Sequence, residues 1–149
     1  MRRSRIVTAV FLAAAVFVSL GMGDLGVEAD KTPRAPKQDF TGTVTDRSMN
    51  TLAVSHMHCE GKTSIKGYLG EIRVTLDFKN VESVVFAAAA AGGFTPGTVA
   101  LRDGQIKSMR FKNLTRCYGQ TDLGHMMVRV KDLRSIRFDE PPAPETGDE

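Results

Sequence analysis

The sequence predicts an all-β protein that contains two copies of one small unit. Apolar residues occupy every second position over Ile72–Phe78, which is the period of a strand with one buried face. After residue 29 no segment has sustained helical periodicity, and the Ala87–Ala91 run is interpreted as a short helical turn or a spacer. Similar segments also recur about 50 residues apart. We therefore expect an internally duplicated β-meander.

Residues 1–29 have the organisation of a bacterial secretory signal. Three arginines precede the apolar run Ile6–Leu20, and small residues follow it. This pattern predicts a signal-peptide helix that is cleaved before Asp30 or after Gly23, and a mature chain in the periplasm or outside the cell. The alternative is an uncleaved anchor, because the 18 residues of Ile6–Gly23 carry no charge. Cleavage is favoured because the core apolar run has only 15 residues, and it would leave no stable membrane span.

Two polar segments flank the predicted β domain, which covers residues 39–138. Residues 30–38 contain two prolines and three cations and predict an extended linker. Residues 139–149 contain five acids, three prolines and no base, and predict a disordered acidic tail. Residues 30–138 carry 17 Lys and Arg against 10 Asp and Glu. A basic body is therefore joined to an acidic tail.

The β domain is predicted to hold copy one at residues 40–86 and copy two at residues 97–138. Three similarities in the same order indicate the duplication, since one such match alone arises by chance. They are Val74–Phe86 with Met126–Phe138 at an offset of 52, Gly42-Thr43-Val44 with Gly97-Thr98-Val99, and a C-x-G-(K/Q)-T pattern that begins at Cys59 and again at Cys117, at an offset of 58.

Hairpins are predicted at Thr41–Ser55 and at Thr98–Lys112, where polar turns separate short strand-like runs. With the strands that follow, each copy gives four, or about eight short strands in total. These would form two small barrel units or one shared barrel or sandwich. Units that end in an apolar-x-x-apolar-x-Phe pattern, as at Val81–Phe86 and Leu133–Phe138, are similar to small SH3-like or Sm-like barrels. This resemblance rests on no diagnostic motif and implies no function.

The cysteines Cys59 and Cys117 predict one disulfide. The repeat pattern places them at equivalent positions, and an exported chain enters an oxidising compartment. Closing a loop of about 58 residues would stabilise the fold by roughly 4 kcal/mol. The alternative is two separate reduced thiols.

A metal site is the alternative function for the densest cluster of ligand side chains, His56, His58 and Cys59. On an extended strand the two histidines point to the same side about 7 Å apart, within reach of one ion. His125 could complete a tetrahedral site. Against this, the second copy has no histidine before its cysteine.

Six cations of the second copy are predicted to lie on one outer face that contacts an anionic envelope component or another protein. A solvated surface is the alternative. Nucleic acid is not an expected partner, because the chain is predicted to be exported, has no Trp and does not interleave aromatic with basic residues. The six cations are Arg110, Lys112, Arg129, Lys131, Arg134 and Arg137.

No catalytic residue and no cofactor are predicted. The sequence contains no nucleophile-elbow motif, no complete phosphate-binding loop and no C-x-x-C pair. We therefore expect a non-enzymatic structural or binding module of the cell envelope, with periplasmic metal binding as the alternative.

Overall fold

The computed structural model describes residues 32–143; the predicted signal peptide and residues 144–149 of the predicted tail lie outside this range. The described part is all-β, as predicted: ten antiparallel strands form one curled, half-barrel sheet. Two single turns of 3₁₀ helix lie at Phe78–Asn80 and Val130–Asp132. The strands are β1 (Gly42–Asp46), β2 (Thr51–Cys59), β3 (Ser64–Leu69), β4 (Ile72–Asp77), β5 (Val81–Phe86), β6 (Phe94–Leu101), β7 (Ile106–Lys112), β8 (Arg116–Thr121), β9 (Gly124–Arg129) and β10 (Leu133–Phe138).

The predicted number of about eight strands is too low because β3 and β8 were not expected. β8 lacks a simple alternation, since Cys117, Tyr118 and Gly119 are all buried. The Ala87–Ala91 run forms no helix and connects β5 to β6 as a spacer. Within residues 32–143, no helix has the length and apolar character needed to cross a membrane.

The strand order is β4-β3-β7-β6-β5-β10-β1-β2-β8-β9. If each of β1–β5 is exchanged with the corresponding strand of β6–β10, the same order results, read from the opposite edge of the sheet. The sheet therefore has a twofold-symmetric topology. It is not the predicted meander, because β3 pairs with β7 and β8 pairs with β2. After β2 the left-handed residues Glu60 (φ 52°) and Gly61 (φ 81°) turn the chain. Across this turn β2 is joined to the next few residues by the single bridge from Cys59 to Lys62 and forms no ladder with β3.

Antiparallel pairing of β5 with β10 forms the centre of the sheet. Val84 lies opposite Ile136, and these residues are 52 positions apart. The pairs on either side are Val85 with Ser135 and Ser83 with Arg137. Adding 52 to the residue numbers of Ser83 and Val85 gives Ser135 and Arg137, so the repeat converts one pair into the other. The register is therefore symmetric about the Val84–Ile136 pair.

Turn hydrogen bonds repeat in the same way. The backbone amide of Arg47 donates to the carbonyl of Asp132 at 3.0 Å, and that of Arg102 donates to the carbonyl of Asn80 at 3.0 Å. Arg47 and Arg102 lie 55 positions apart, whereas Asn80 and Asp132 lie 52 apart. Each half of the sheet nevertheless takes strands from both halves of the chain, so two separate barrel units are not confirmed.

The two cysteines are not equivalent positions of this repeat. β3 and β8 correspond at an offset of 52, so the residue that matches Cys117 is Ile65. Cys59 ends β2 and is followed by a turn, whereas Gly119, in the second C-x-G pattern, lies inside β8. The predicted correspondence at an offset of 58 was therefore wrong, because one pattern is a turn and the other is a strand.

The core lies on the concave side of the sheet and is rich in aromatic contacts. The Phe78 ring lies 4.6 Å from that of Phe138, and the Phe86 ring lies 5.4 Å from that of Phe111. Glycine at position 67 admits the Phe111 ring, because a Cβ there would lie 2.8 Å from Phe111 Cε1. The core residues therefore come from both halves of the chain.

We expect Ile136→Ala to lower the free energy of unfolding by about 2–5 kcal/mol, because it removes buried methyl groups at the centre of the sheet. Ile136 is 4% exposed, whereas Val85, on the neighbouring strand, is 53% exposed. Val85→Ala is the matched control and should change stability by less than about 0.5 kcal/mol. Urea unfolding of both variants measures the difference, and equal losses would contradict this account of the core.

Candidate functional site

A cleft of about 320 Å³ collects four basic side chains at one end of the sheet. Lys66 and Arg73 come from the β3–β4 hairpin, Lys112 ends β7, and Lys62 lies in the turn after β2. We call these residues and the space that they line the cationic cleft. Its other lining residues are Cys59, Glu60, Ser64, Ile65, Tyr68 and Thr115.

Strand register explains why these side chains converge. Tyr68 lies opposite Arg73 on β4 and opposite Arg110 on β7. Side chains two residues apart on a strand share a face, so Lys66 points to the same side as Tyr68. Continuing the antiparallel register past Tyr68 and Arg110 places Lys112 beside Lys66. The pairing of β3 with β7 thus brings cations from both halves of the chain together.

Positive charge predominates in the cationic cleft. Its four basic side chains are exposed, and none forms a hydrogen bond or an ion pair with another residue of 32–143. One carboxylate, that of Glu60, lines the cleft with them. Concentrating like charge on a concave surface raises the local potential and attracts anions. The arrangement can therefore bind an anionic group.

An aromatic wall adjoins the cations. The half-buried ring of Tyr68 lines the cleft and meets the Phe94 ring edge-to-face, with 5.6 Å between ring centroids. The guanidinium of Arg110 lies 4.8 Å from the centroid of Phe94 and 5.6 Å from that of Tyr68. Arg110 also donates to the Gly70 carbonyl at 3.2 Å and lies 3.7 Å from a Glu71 carboxylate oxygen. These contacts hold the Tyr68 ring in one orientation.

In the symmetry-related hairpin β8–β9, the positions that match the cleft cations hold no lysine or arginine. At the offset of 52, Leu114 corresponds to Lys62, Tyr118 to Lys66, and His125 to Arg73. The backbone of the fold therefore does not require basic residues at these positions. The cationic cleft is a property of one half of the sheet.

The sulfur atoms of Cys59 and Cys117 lie 2.01 Å apart, which fits the predicted disulfide. The two residues are directly paired in the β2–β8 ladder, and both are buried. The bond thus joins strands from different halves of the chain, and Cys59 also forms part of the cleft wall.

His58 is buried beside the disulfide. Its ring stacks on Tyr118 at 5.2 Å between centroids, and its Nδ1 accepts a hydrogen bond from the Gly61 amide at 3.1 Å. Desolvation by burial lowers the pKa of His58 below its ordinary value, because the charged imidazolium loses hydration. The fold therefore buries His58 and favours its uncharged form.

The predicted metal ligands are not brought together. His56 is left-handed (φ 50°) within a β-bulge, which breaks the strand alternation that the prediction assumed. His56 Nδ1 lies 3.5 Å from an Asp39 oxygen, while His58 is in the core and Cys59 is in the disulfide. Within residues 32–143, no group of three His, Cys, Asp or Glu residues is arranged to hold a metal ion.

The six cations predicted from the sequence do not form one face. Lys112 lines the cationic cleft and Arg110 adjoins it. Arg129 pairs with Asp132 at 3.1 Å in another cleft, and Arg137 lines a third cleft together with Glu82. Lys131 and Arg134 lie near the start of β10 and line none of these three clefts.

Sequence reasoning missed four residues of the candidate site. The sequence did contain a signal for two of them, since Lys66 and Tyr68 alternate with inward-facing positions on β3. It was weak because one of those inward positions is a glycine. The missed residues are Lys62, Lys66, Tyr68 and Arg73.

Reducing the disulfide is expected to lower the free energy of unfolding by roughly 4 kcal/mol, because the unfolded chain then gains the entropy of an open loop. Denaturant unfolding with and without reductant measures the loss. The double variant Cys59→Ser with Cys117→Ser should match the reduced wild type. A reduced protein as stable as the oxidised one would refute the assigned role of the bond.

Lowering the pH through about 6.5, the ordinary pKa of histidine, should destabilise the protein through His58. The unfolded chain then takes up a proton that the buried ring resists, so this loss begins as the pH falls below about 7 and is absent above it. His58→Asn keeps an acceptor near the Gly61 amide but does not titrate, and it should flatten the stability slope between about pH 7.5 and 5.5. The exposed His125 offers the control, since His125→Asn should leave the slope in place. Unchanged slopes in both variants would exclude this contribution.

No curated protein matches the chain. A sequence model of a family described as "Uncharacterised protein" matches residues 36–140, a range that includes all ten strands and the cationic cleft. The chain therefore belongs to this uncharacterised protein family.

Proposed function

We propose that this protein is an exported, non-enzymatic binding module of the bacterial cell envelope that holds an anionic ligand in its cationic cleft. The observation that carries the proposal is the convergence of four exposed cations, Lys62, Lys66, Arg73 and Lys112, without partners among residues 32–143. Like charges that are held together destabilise the free protein, and an anion bound among them removes that repulsion.

Export is supported by two features of the chain. Residues 1–29 carry the three-part pattern of a secretory signal. The sulfur atoms of Cys59 and Cys117 lie at disulfide distance, and such bonds persist in oxidising compartments. The envelope surfaces of bacteria are rich in anionic polymers and lipids, which a basic body would attract.

A binding role is supported by the composition of the cationic cleft. The lining combines four cations with one carboxylate, one tyrosine ring and small polar groups. Positive groups therefore outnumber the single carboxylate. These groups suit the recognition of negative charge.

The double variant Lys66→Glu with Lys112→Glu should weaken binding of inorganic polyphosphate at least tenfold at low ionic strength. Polyphosphate carries charge without a sugar, base or lipid, so it reports the electrostatic part of recognition alone. Titration at about 50 mM and at about 500 mM salt should show the difference shrinking as screening increases.

The matched control makes the same charge change away from the cleft. Lys79→Glu with Arg134→Glu alters two exposed cations that lie outside the cationic cleft. This pair should weaken polyphosphate binding less than threefold. If both pairs weaken all anionic probes equally, or neither weakens any, the cleft is not the binding site and the proposed function is wrong.

A further inference from the structure

We propose that the ligand of the cationic cleft is an acidic glycan, a sugar chain whose units bear carboxylate groups. Tyr68 would pack against the face of a sugar ring while Arg73, Lys66 and Lys112 bind the carboxylates. This inference rests on the proposed function and adds the chemical class of the ligand.

The position of Tyr68 is the first argument. It lies between Arg73 and Arg110 in one cross-strand row, and it lines the cleft that the lysines enclose. A tyrosine offers a flat apolar face and a polar tip, which suits a ring that is apolar on one face and hydroxylated at its edge. Charge alone would not require an aromatic residue at this position.

The fixed orientation of the Tyr68 ring is the second argument. Phe94 meets it edge-to-face at 5.6 Å, and Arg110 lies against both rings. A side chain that is held in its binding orientation loses little conformational entropy when a ligand docks. The ring is therefore prepared for stacking.

The spacing of the cations is the third argument. Neighbouring strands lie about 4.8 Å apart and alternate residues on one strand about 7 Å apart. Arg73, Lys66 and Lys112 come from three adjacent strands, so they enter the one cleft from separate points along it. Such a distribution fits a ligand with several separated anions, and the guanidinium of Arg73 suits a planar carboxylate.

Lipids and nucleic acids fit the same surface less well. Among the lining residues, Ile65 is the one with an aliphatic side chain, and it is buried. The cleft therefore offers no apolar channel for an acyl chain. Single-stranded nucleic acids are held by several stacking rings along a groove, whereas one ring lines this cleft. These ligands enter the test as competing outcomes.

The experiment compares four probes on the full chain: an oligogalacturonate, a neutral maltooligosaccharide of equal length, inorganic polyphosphate and oligo-dT. We expect the oligogalacturonate to bind most tightly and the neutral sugar at least tenfold more weakly. Tyr68→Leu should weaken oligogalacturonate binding at least tenfold and polyphosphate binding less than twofold. Tyr68→Phe, which keeps the ring, should stay within threefold of the wild type for both.

A spectroscopic readout keeps the inference testable if Tyr68→Leu does not fold. The sequence has two tyrosines and no tryptophan, so Tyr118→Phe leaves Tyr68 as the sole strong fluorophore. Saturating this variant with oligogalacturonate should change its tyrosine emission, whereas the neutral maltooligosaccharide should not. An unchanged emission at saturation would overturn the stacking role of Tyr68.

The outcomes separate this inference from the proposed function. Equal binding of polyphosphate and oligogalacturonate, insensitive to Tyr68→Leu, would refute the glycan and leave the anion-binding cleft intact. Tightest binding of oligo-dT would also refute the glycan. If no anionic probe binds through Lys66 and Lys112, both the inference and the proposed function are wrong.

Discussion

Antiparallel pairing of β5 with β10 is the constraint on which the rest of the sheet depends. Because the ladder is symmetric about Val84 and Ile136, the strands that flank it follow in the same order on both sides. The hairpins then cross, so that β3 completes the ladder of β7 and β8 completes that of β2. Neither half of the chain can satisfy its backbone hydrogen bonds or bury its apolar face without the other. The Cys59–Cys117 bond reinforces one of these two crossings.

Alternation in the sequence predicted most strands, but it could not predict their partners. Ile72–Phe78 has the period of a half-buried strand, and β4 is found there with Val74 and Leu76 half-buried, although Ile72 is exposed and Phe78 begins a 3₁₀ turn. β3 was not predicted because one of its inward positions is Gly67. This glycine leaves room for the Phe111 ring but adds no apolar side chain to the alternation. The exchange of hairpins was not predicted, because the alternation of apolar residues along a strand does not specify which strand it pairs with. The left-handed turn at Glu60 and Gly61 directs the chain away from β2. The positions of the apolar residues do not predict this turn.

The site shows a similar division. The two cysteines were paired correctly for a reason that was partly wrong, since they meet as neighbours in the β2–β8 ladder and not as equivalents of the repeat. The cationic cleft was not predicted, because Lys112 is distant in sequence from Lys66 and reaches it only through the β3–β7 pairing. A sequence-based search for a basic face grouped cations of the second copy, and the fold distributes these over separate clefts. Pairing across the halves of the chain is what assembles the cleft.

One symmetric backbone thus supports two different surfaces. Around β8, Tyr118 is buried and stacks on the buried His58 next to the disulfide. Around β3, the matching position is Lys66, which lies exposed among further cations. Gathering like charges there costs stability, and a sheet without a stabilising bond would tolerate that cost less well. The Cys59–Cys117 bond, of which Cys59 lies in the cleft wall, offsets part of this cost, so one covalent link between the halves of the chain helps the fold to keep its charged cleft.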